Sequence, residues 1–221
     1  MKGRPLLLSQ TLFGFALTAV QAFLLWPLLR HSFRTRDIAG ISPVGEAIWV
    51  TGGLGWLAYG VMSGAPALVL SGSLAFAGSL AILVLTRPSI PASPRKWAWV
   101  WATITAAGLV VPTLVFGLPG LSISLAVFGT VQFLPQIGES LSGIYSRSSA
   151  AGVNPVASAL RGTYAFGWAV YASAWAMAGA ATYDPPLVAW GLAGAAAFTL
   201  QAAHAALDKR VPRDAVPAAA H

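Results

Sequence analysis

The chain has 221 residues, of which 57% are hydrophobic and only 9% charged, where a soluble domain carries about 25% charged residues. So few charges cannot coat a water-facing surface, which excludes a soluble enzyme, and the absence of cysteine excludes disulfides, a thiol nucleophile and Cys-ligated metals. The net charge of +7 suits the anionic cytoplasmic face of a membrane better than nucleic acid in so apolar a chain.

Seven apolar runs follow one another: Leu6–Leu29, Val44–Met62, Ala65–Leu85, Trp97–Phe116, Leu121–Leu141, Pro155–Ala180 and Pro185–Leu207. Their lengths suit the roughly 20 residues that a helix needs to cross a bilayer. Strands of a membrane barrel would alternate in short segments. These runs are continuous, and in hydrocarbon such a run must satisfy its backbone within itself. The predicted fold class is an all-α membrane protein with seven transmembrane helices.

Lys2 and Arg4 precede the first run, a pattern shared with signal peptides. The run is long for a removable apolar core, and it belongs to a repeat described below, so it is read as a retained helix. Basic connections follow runs one, three, five and seven: Arg30, Arg34 and Arg36; Arg87, Arg95 and Lys96; Arg147; and Lys209, Arg210 and Arg213. The connections around Ser63-Gly64, Gly117–Gly120 and Tyr183-Asp184 carry no Lys or Arg. Basic residues mark the cytoplasmic side. The expected location is therefore the plasma (inner) membrane, with the amino terminus outside and the tail 208–221 in the cytoplasm.

A repeat links the runs. Ala39-Gly40-Ile41-Ser42-Pro43 recurs as Ala151-Gly152-Val153-Asn154-Pro155, 112 positions on. At the same offset Gly55-Trp56-Leu57-Ala58-Tyr59-Gly60 becomes Gly167-Trp168-Ala169-Val170-Tyr171-Ala172. The expected organisation is a triple-helix repeat over 6–86, a linker helix over 97–117 and a second triple-helix repeat over 121–207. Three helices per repeat and one linker give both repeats the same orientation, as in parallel-repeat transporters.

Run five contains Val131-Gln132-Phe133-Leu134-Pro135-Gln136. Its Pro-Gln pair, the 3+1+3 layout and the two duplicated blocks resemble the PQ-loop superfamily, and within it the SWEET and half-length SemiSWEET sugar transporters. The resemblance covers about Leu6 to Leu207. It implies two parallel triple-helix bundles, a midplane pocket and a sugar as the first guess for the solute. It also implies that Trp56 and Trp168 line that pocket and stack on the solute. The first half departs from the pattern, with Trp26-Pro27-Leu28 keeping the Pro and losing the Gln. An Asn on the third helix of each repeat is expected to face the sugar. Here the matching stretches offer Ser71 and Ser73 in one half and Trp190 in the other.

Pro27 and Pro135 each remove a helical hydrogen bond. They are read either as hinges that open a cytoplasmic gate, with Gln136 re-satisfying a freed group and Trp26 packing its hinge, or as static kinks. Their matching places in the two repeats favour hinges. Trp97, Trp99 and Trp101 beside Arg95-Lys96 read as an interfacial belt. Glu46 suits the first turn of its helix. Glu139 and Arg161 are an expected charge pair in the inner leaflet, or side chains that reach out to the interface. In the first repeat His31 is expected to stand opposite Glu139.

The leading expectation is a membrane transporter that moves a small polar solute by alternating access, with proline-hinge gating. One alternative is a proton-coupled amino-acid carrier of the same superfamily, and another is a non-transport receptor or assembly protein. No enzyme, metal or cofactor is expected. The expected partners are the solute, the lipid bilayer and no nucleic acid, with a homo-oligomer left open.

Overall fold

The computed structural model describes residues 4–36, 42–131 and 155–208, with side chains over 11–36, 42–131 and 165–203. Among them are seven α-helices: α1 Arg4–Thr35, α2 Pro43–Ser63, α3 Pro66–Thr86, α4 Ala92–Phe116, α5 Leu118–Val131, α6 Pro155–Thr182 and α7 Pro185–Asp208. A single 3-10 turn, Arg87–Ser89, joins α3 to α4, and no strand occurs among the described residues. Proline sets several starts, since its fixed φ suits the first helical turn and its missing N–H has no partner to lose there. Pro43, Pro66, Pro155 and Pro185 each open a helix. Ser42 caps α2 by accepting from Gly45 N at 3.2 Å.

Among the described residues four segments are long and apolar enough to cross a bilayer: Thr11–Thr35, Pro66–Ser89, Ala92–Phe116 and Pro185–Ala203. The described residues are therefore all-helical and of membrane type. Leu114 on α4 is 81% exposed, a surface that only lipid would cover without cost. The helix α2 carries Glu46, Thr51 and several glycines. It also packs against three helices, α3, α4 and α5, so less of it is left for lipid.

Each contact in the first half of the chain has a counterpart in the second. Helix α3 packs on α1 and α2, and α7 packs on α5 and α6. Across the halves α1 meets α6 and α2 meets α5, while α4 lies against α2 and α5.

The two hairpins α2–α3 and α6–α7 turn in the same way. Gly64 ends α2 with φ 71°, and Tyr183 ends α6 with φ 55°. Ala65 N donates to Gly60 O at 2.8 Å, and Asp184 N donates to Gly179 O at 2.8 Å. Both closures satisfy carbonyls that the helix end leaves bare. The helices of each hairpin touch backbone to backbone. A Cβ on Gly72 would fall 2.8 Å from Gly53 O, and one on Gly191 would fall 2.6 Å from Ala172 O. All these pairs stand 119 positions apart, from 64 and 183 to 72 and 191.

That offset corrects the sequence register of 112. Helix α2 has 21 residues and α6 has 28, a difference of seven, or about two turns. Two added turns bring almost the same face round, so the sequence blocks still match while their depth differs by about 10 Å. In the packing Trp168 answers to Trp49, and Trp56 answers to Trp175, not to Trp168 as the sequence blocks imply.

Candidate functional site

A cavity of about 30 Å³ opens between the two sets of helices, room for about two water molecules. Gln21 on α1 and Leu68, Ser71, Gly72 and Ala75 on α3 line one part of it. Trp49 and Trp56 on α2, Tyr171 and Trp175 on α6, and Leu187 and Trp190 on α7 line the rest. All of its polar side chains are neutral.

The polar groups form one cluster that joins the halves. Gln21 is 2% exposed, and an unpaired amide at such a place would be costly. Its Oε1 accepts from Ser71 Oγ at 2.5 Å and from Tyr171 OH at 2.9 Å, and its Nε2 donates to Ser71 O at 3.3 Å. Ser71 Oγ and Tyr171 OH are 3.4 Å apart. Tyr171 reaches this cluster from α6, so the network spans the seam where α1 meets α6.

Among the described residues the second half offers no such cluster. Gln21 lies six residues before Pro27, and Gly129 lies six before Pro135. Gly129 sits against Trp190 as Gln21 sits against Ser71. A Cβ on Gly129 would lie 3.0 Å from Trp190 Cδ1 and 3.3 Å from its Cβ. The missing side chain at Gly129 is what lets the indole in. One half of the cavity is therefore hydrogen-bonding and the other aromatic.

The rings pack edge to face. Trp190 stands 6.2 Å from Trp49, 6.3 Å from Trp56 and 5.9 Å from Tyr171, at 87°, 78° and 86°. Tyr171 stands 6.3 Å from Trp175 at 83°. Each such pair contributes about 0.5–1.5 kcal/mol beyond its buried area, so the wall is a stable one. Trp49 also meets Trp168 across the halves at 6.0 Å.

Nearer the α6–α7 turn a second bond crosses the halves. Tyr59 OH donates to Asp184 Oδ2 at 2.9 Å. Asp184 Oδ1 accepts from Leu187 N at 3.2 Å, so the same carboxylate caps α7. The Tyr59 ring stands 5.9 Å from Trp56 at 87°, which links this bond to the cavity wall.

Of the side chains named from sequence, Trp56, Ser71 and Trp190 line the cavity. Trp168 does not: it is buried, stacked on Phe198 at 5.7 Å and set edge-on to Tyr171 at 5.2 Å. Ser73 donates to Val69 O at 2.7 Å instead. Two positions on a helix differ by about 200°, so Ser71 and Ser73 cannot share a face. Trp26 is 61% exposed, and Pro27 beside it is exposed too. Helix α1 runs unbroken through Pro27, and the indole does not pack against the bundle as a hinge seat would require.

Glu46 is half-buried, with Ser79 near its carboxylate. His31 pairs locally, 3.4 Å from Thr35 Oγ1. Pro135, Gln136 and Glu139 lie outside the described residues, and Arg161 falls in α6 where side chains are not described. Sequence reasoning missed Gln21, Trp49, Trp175 and the Tyr59–Asp184 bond. The first run holds two amides, Gln10 and Gln21, and nothing in the sequence singles out the second.

A comparison of the chain with known protein families, characterised proteins and solved structures finds no match.

Proposed function

We propose that the protein is a membrane carrier for a small polar solute, working by alternating access. The observation that carries this reading is the cavity between the halves, closed by hydrogen bonds that each join one half to the other. Such bonds can be exchanged for bonds to a solute or to water, so the closed form is one side of a two-state equilibrium. An aqueous enzyme would need an acid–base pair or nucleophile set in the cavity, and none lines it among the described residues.

The paired helix contacts support two parallel triple-helix bundles, α1–α3 and α5–α7, with α4 as the linker. The basic connections support an amino terminus outside, so that the Tyr59–Asp184 bond closes the outer mouth. The present cavity admits about two waters, and a solute enters only when the seams α1–α6 and α2–α5 part. The resemblance to SWEET transporters makes a sugar the first solute to try. The neutral wall argues against an amino acid, whose carboxylate would be buried unpaired.

Uptake of labelled solutes into proteoliposomes tests this function. Saturable flux that vanishes when Tyr171 and Gln21 are both replaced by apolar residues supports a carrier. Absence of flux for every solute under every imposed gradient overturns it.

A further inference from the structure

We infer that the solute of this carrier is a compact quaternary ammonium compound, held by cation–π contact in the cage of Trp49, Trp56, Trp175 and Trp190. This rests on the carrier function proposed above and names the chemical class that its site fits. Three observations converge on it.

The first is the shape of the wall. Trp49, Trp56 and Tyr171 all stand close to perpendicular to Trp190 around one cavity. Parallel rings would suit a flat ligand. Rings set at right angles surround a round one from several directions, which is how aromatic cages take methylated ammonium groups.

The second is how few hydrogen-bond acceptors the cavity has left. Gln21 Oε1 already accepts twice, and Gln21 Nε2 already donates to Ser71 O. For a solute's own O–H groups only a few hydroxyl lone pairs remain as acceptors, because the other polar groups of the wall, an amide N–H and the indole N–H groups, are donors. A monosaccharide would bring about five hydroxyls into this site, and each one left unmatched weakens binding. A tetramethylated nitrogen has no N–H to satisfy, and a single hydroxyl such as that of choline is within the cluster's remaining capacity.

The third is charge. No Lys or Arg lines the cavity, so nothing in the wall repels a cation. Asp184 stands beyond Trp56, tied to it through Tyr59. The three connections on that side carry no Lys or Arg, and a carboxylate at a mouth of low dielectric concentrates cations there.

The test uses the purified full chain. Calorimetric titration compares choline and tetramethylammonium with 3,3-dimethylbutan-1-ol, the uncharged carbon isostere of choline, and with glucose and sucrose. Choline is expected to bind at least about ten-fold tighter than its isostere, the factor that one desolvated cation–π contact supplies. Trp56→Leu should weaken choline about ten-fold and the isostere much less. Trp56→Phe, which keeps a ring, should fall between and serves as the folded control if the Leu variant does not purify. Equal binding of choline and its isostere would overturn the inference. Binding and proteoliposome uptake of a sugar, with none of choline, would overturn it while leaving the carrier function standing. Uptake of neither would remove both.

Discussion

Gly64 and Tyr183 occupy the same place in two hairpins, both in the left-handed backbone region, with φ of 71° and 55°. Glycine has no Cβ to clash there, whereas another residue is strained by about 1–2 kcal/mol. Nothing lies within 4 Å of the place where a Cβ on Gly64 would stand, so a substitution there meets conformational strain alone. Tyr183 is 93% exposed and gives up little packing when replaced. Tyr183→Gly is expected to stabilise the protein by about 1 kcal/mol, and Gly64→Ala to destabilise it by a similar amount. Thermal unfolding in detergent measures both, and a loss of stability in Tyr183→Gly would mean that the ring holds the turn.

The glycines inside the hairpins behave differently. A Cβ on Gly191 would lie 2.5 Å from Ala176 N, a backbone atom that cannot swing aside. Gly191→Ala is therefore expected to cost at least about 1–3 kcal/mol and to lower the yield of folded protein. Gly78→Ala is the control, since its Cβ would meet only the Leu25 side chain, no nearer than 3.4 Å. It should be tolerated, and equal loss in the two variants would show that the contact at Gly191 is not the cause.

Gln21→Leu removes the acceptor shared by Ser71 and Tyr171. The orphaned phenol and hydroxyl should cost about 1–3 kcal/mol of stability and abolish saturable uptake. Tyr171→Phe removes one donor and leaves the Gln21–Ser71 pair, so its stability loss should be the smaller. Unfolding temperature and uptake measured side by side check the order, and undiminished uptake in Gln21→Leu would place the solute elsewhere.

Tyr59→Phe deletes the bond to Asp184 but leaves the cap on Leu187 N. A lost hydrogen bond to a carboxylate costs about 1.5–3 kcal/mol in general, and toward the lower end here because Tyr59 is buried but Asp184 only partly so. The expected change is a shift toward the form open on the Asp184 side. Faster labelling of a single cysteine introduced at Ser71 would report that shift, and unchanged labelling would mean that the bond does not hold the mouth closed.

Pro27 is exposed on an unbroken helix, and the Trp26 indole beside it is exposed too. Pro27→Ala is expected to leave uptake within about two-fold, because Ala restores a helical hydrogen bond without disturbing a packed residue. Pro135→Ala is expected to impair uptake more. Equal uptake in the two variants would remove the asymmetry between the halves.

The helices were readable because Pro43, Pro66 and Pro185 mark starts and Gly64 marks a stop, each through a local backbone preference. The cavity was only half readable. Trp56, Ser71 and Trp190 could be picked out by residue type and place in the repeat. The exclusion of Ser73 needed only helical periodicity. Gln21 was invisible as a site residue because a lone amide has meaning only once its partner is known, and its partners come from positions 71 and 171. Trp168 was misplaced for a different reason. Two added turns in α6 leave the face almost unchanged, so no sequence pattern distinguishes a Trp at one depth from a Trp two turns away.

The backbone contact at Gly72 and Gly191 has a consequence for motion. Helices that touch through their main chains have no layer of side chains between them in which to slide or rotate. Pairs α2–α3 and α6–α7 must therefore travel as rigid plates, and shape change is confined to the thin seams between them. Spin labels placed within one plate would hold a constant separation through the proposed transport cycle, while labels placed on opposite plates would record the whole of it.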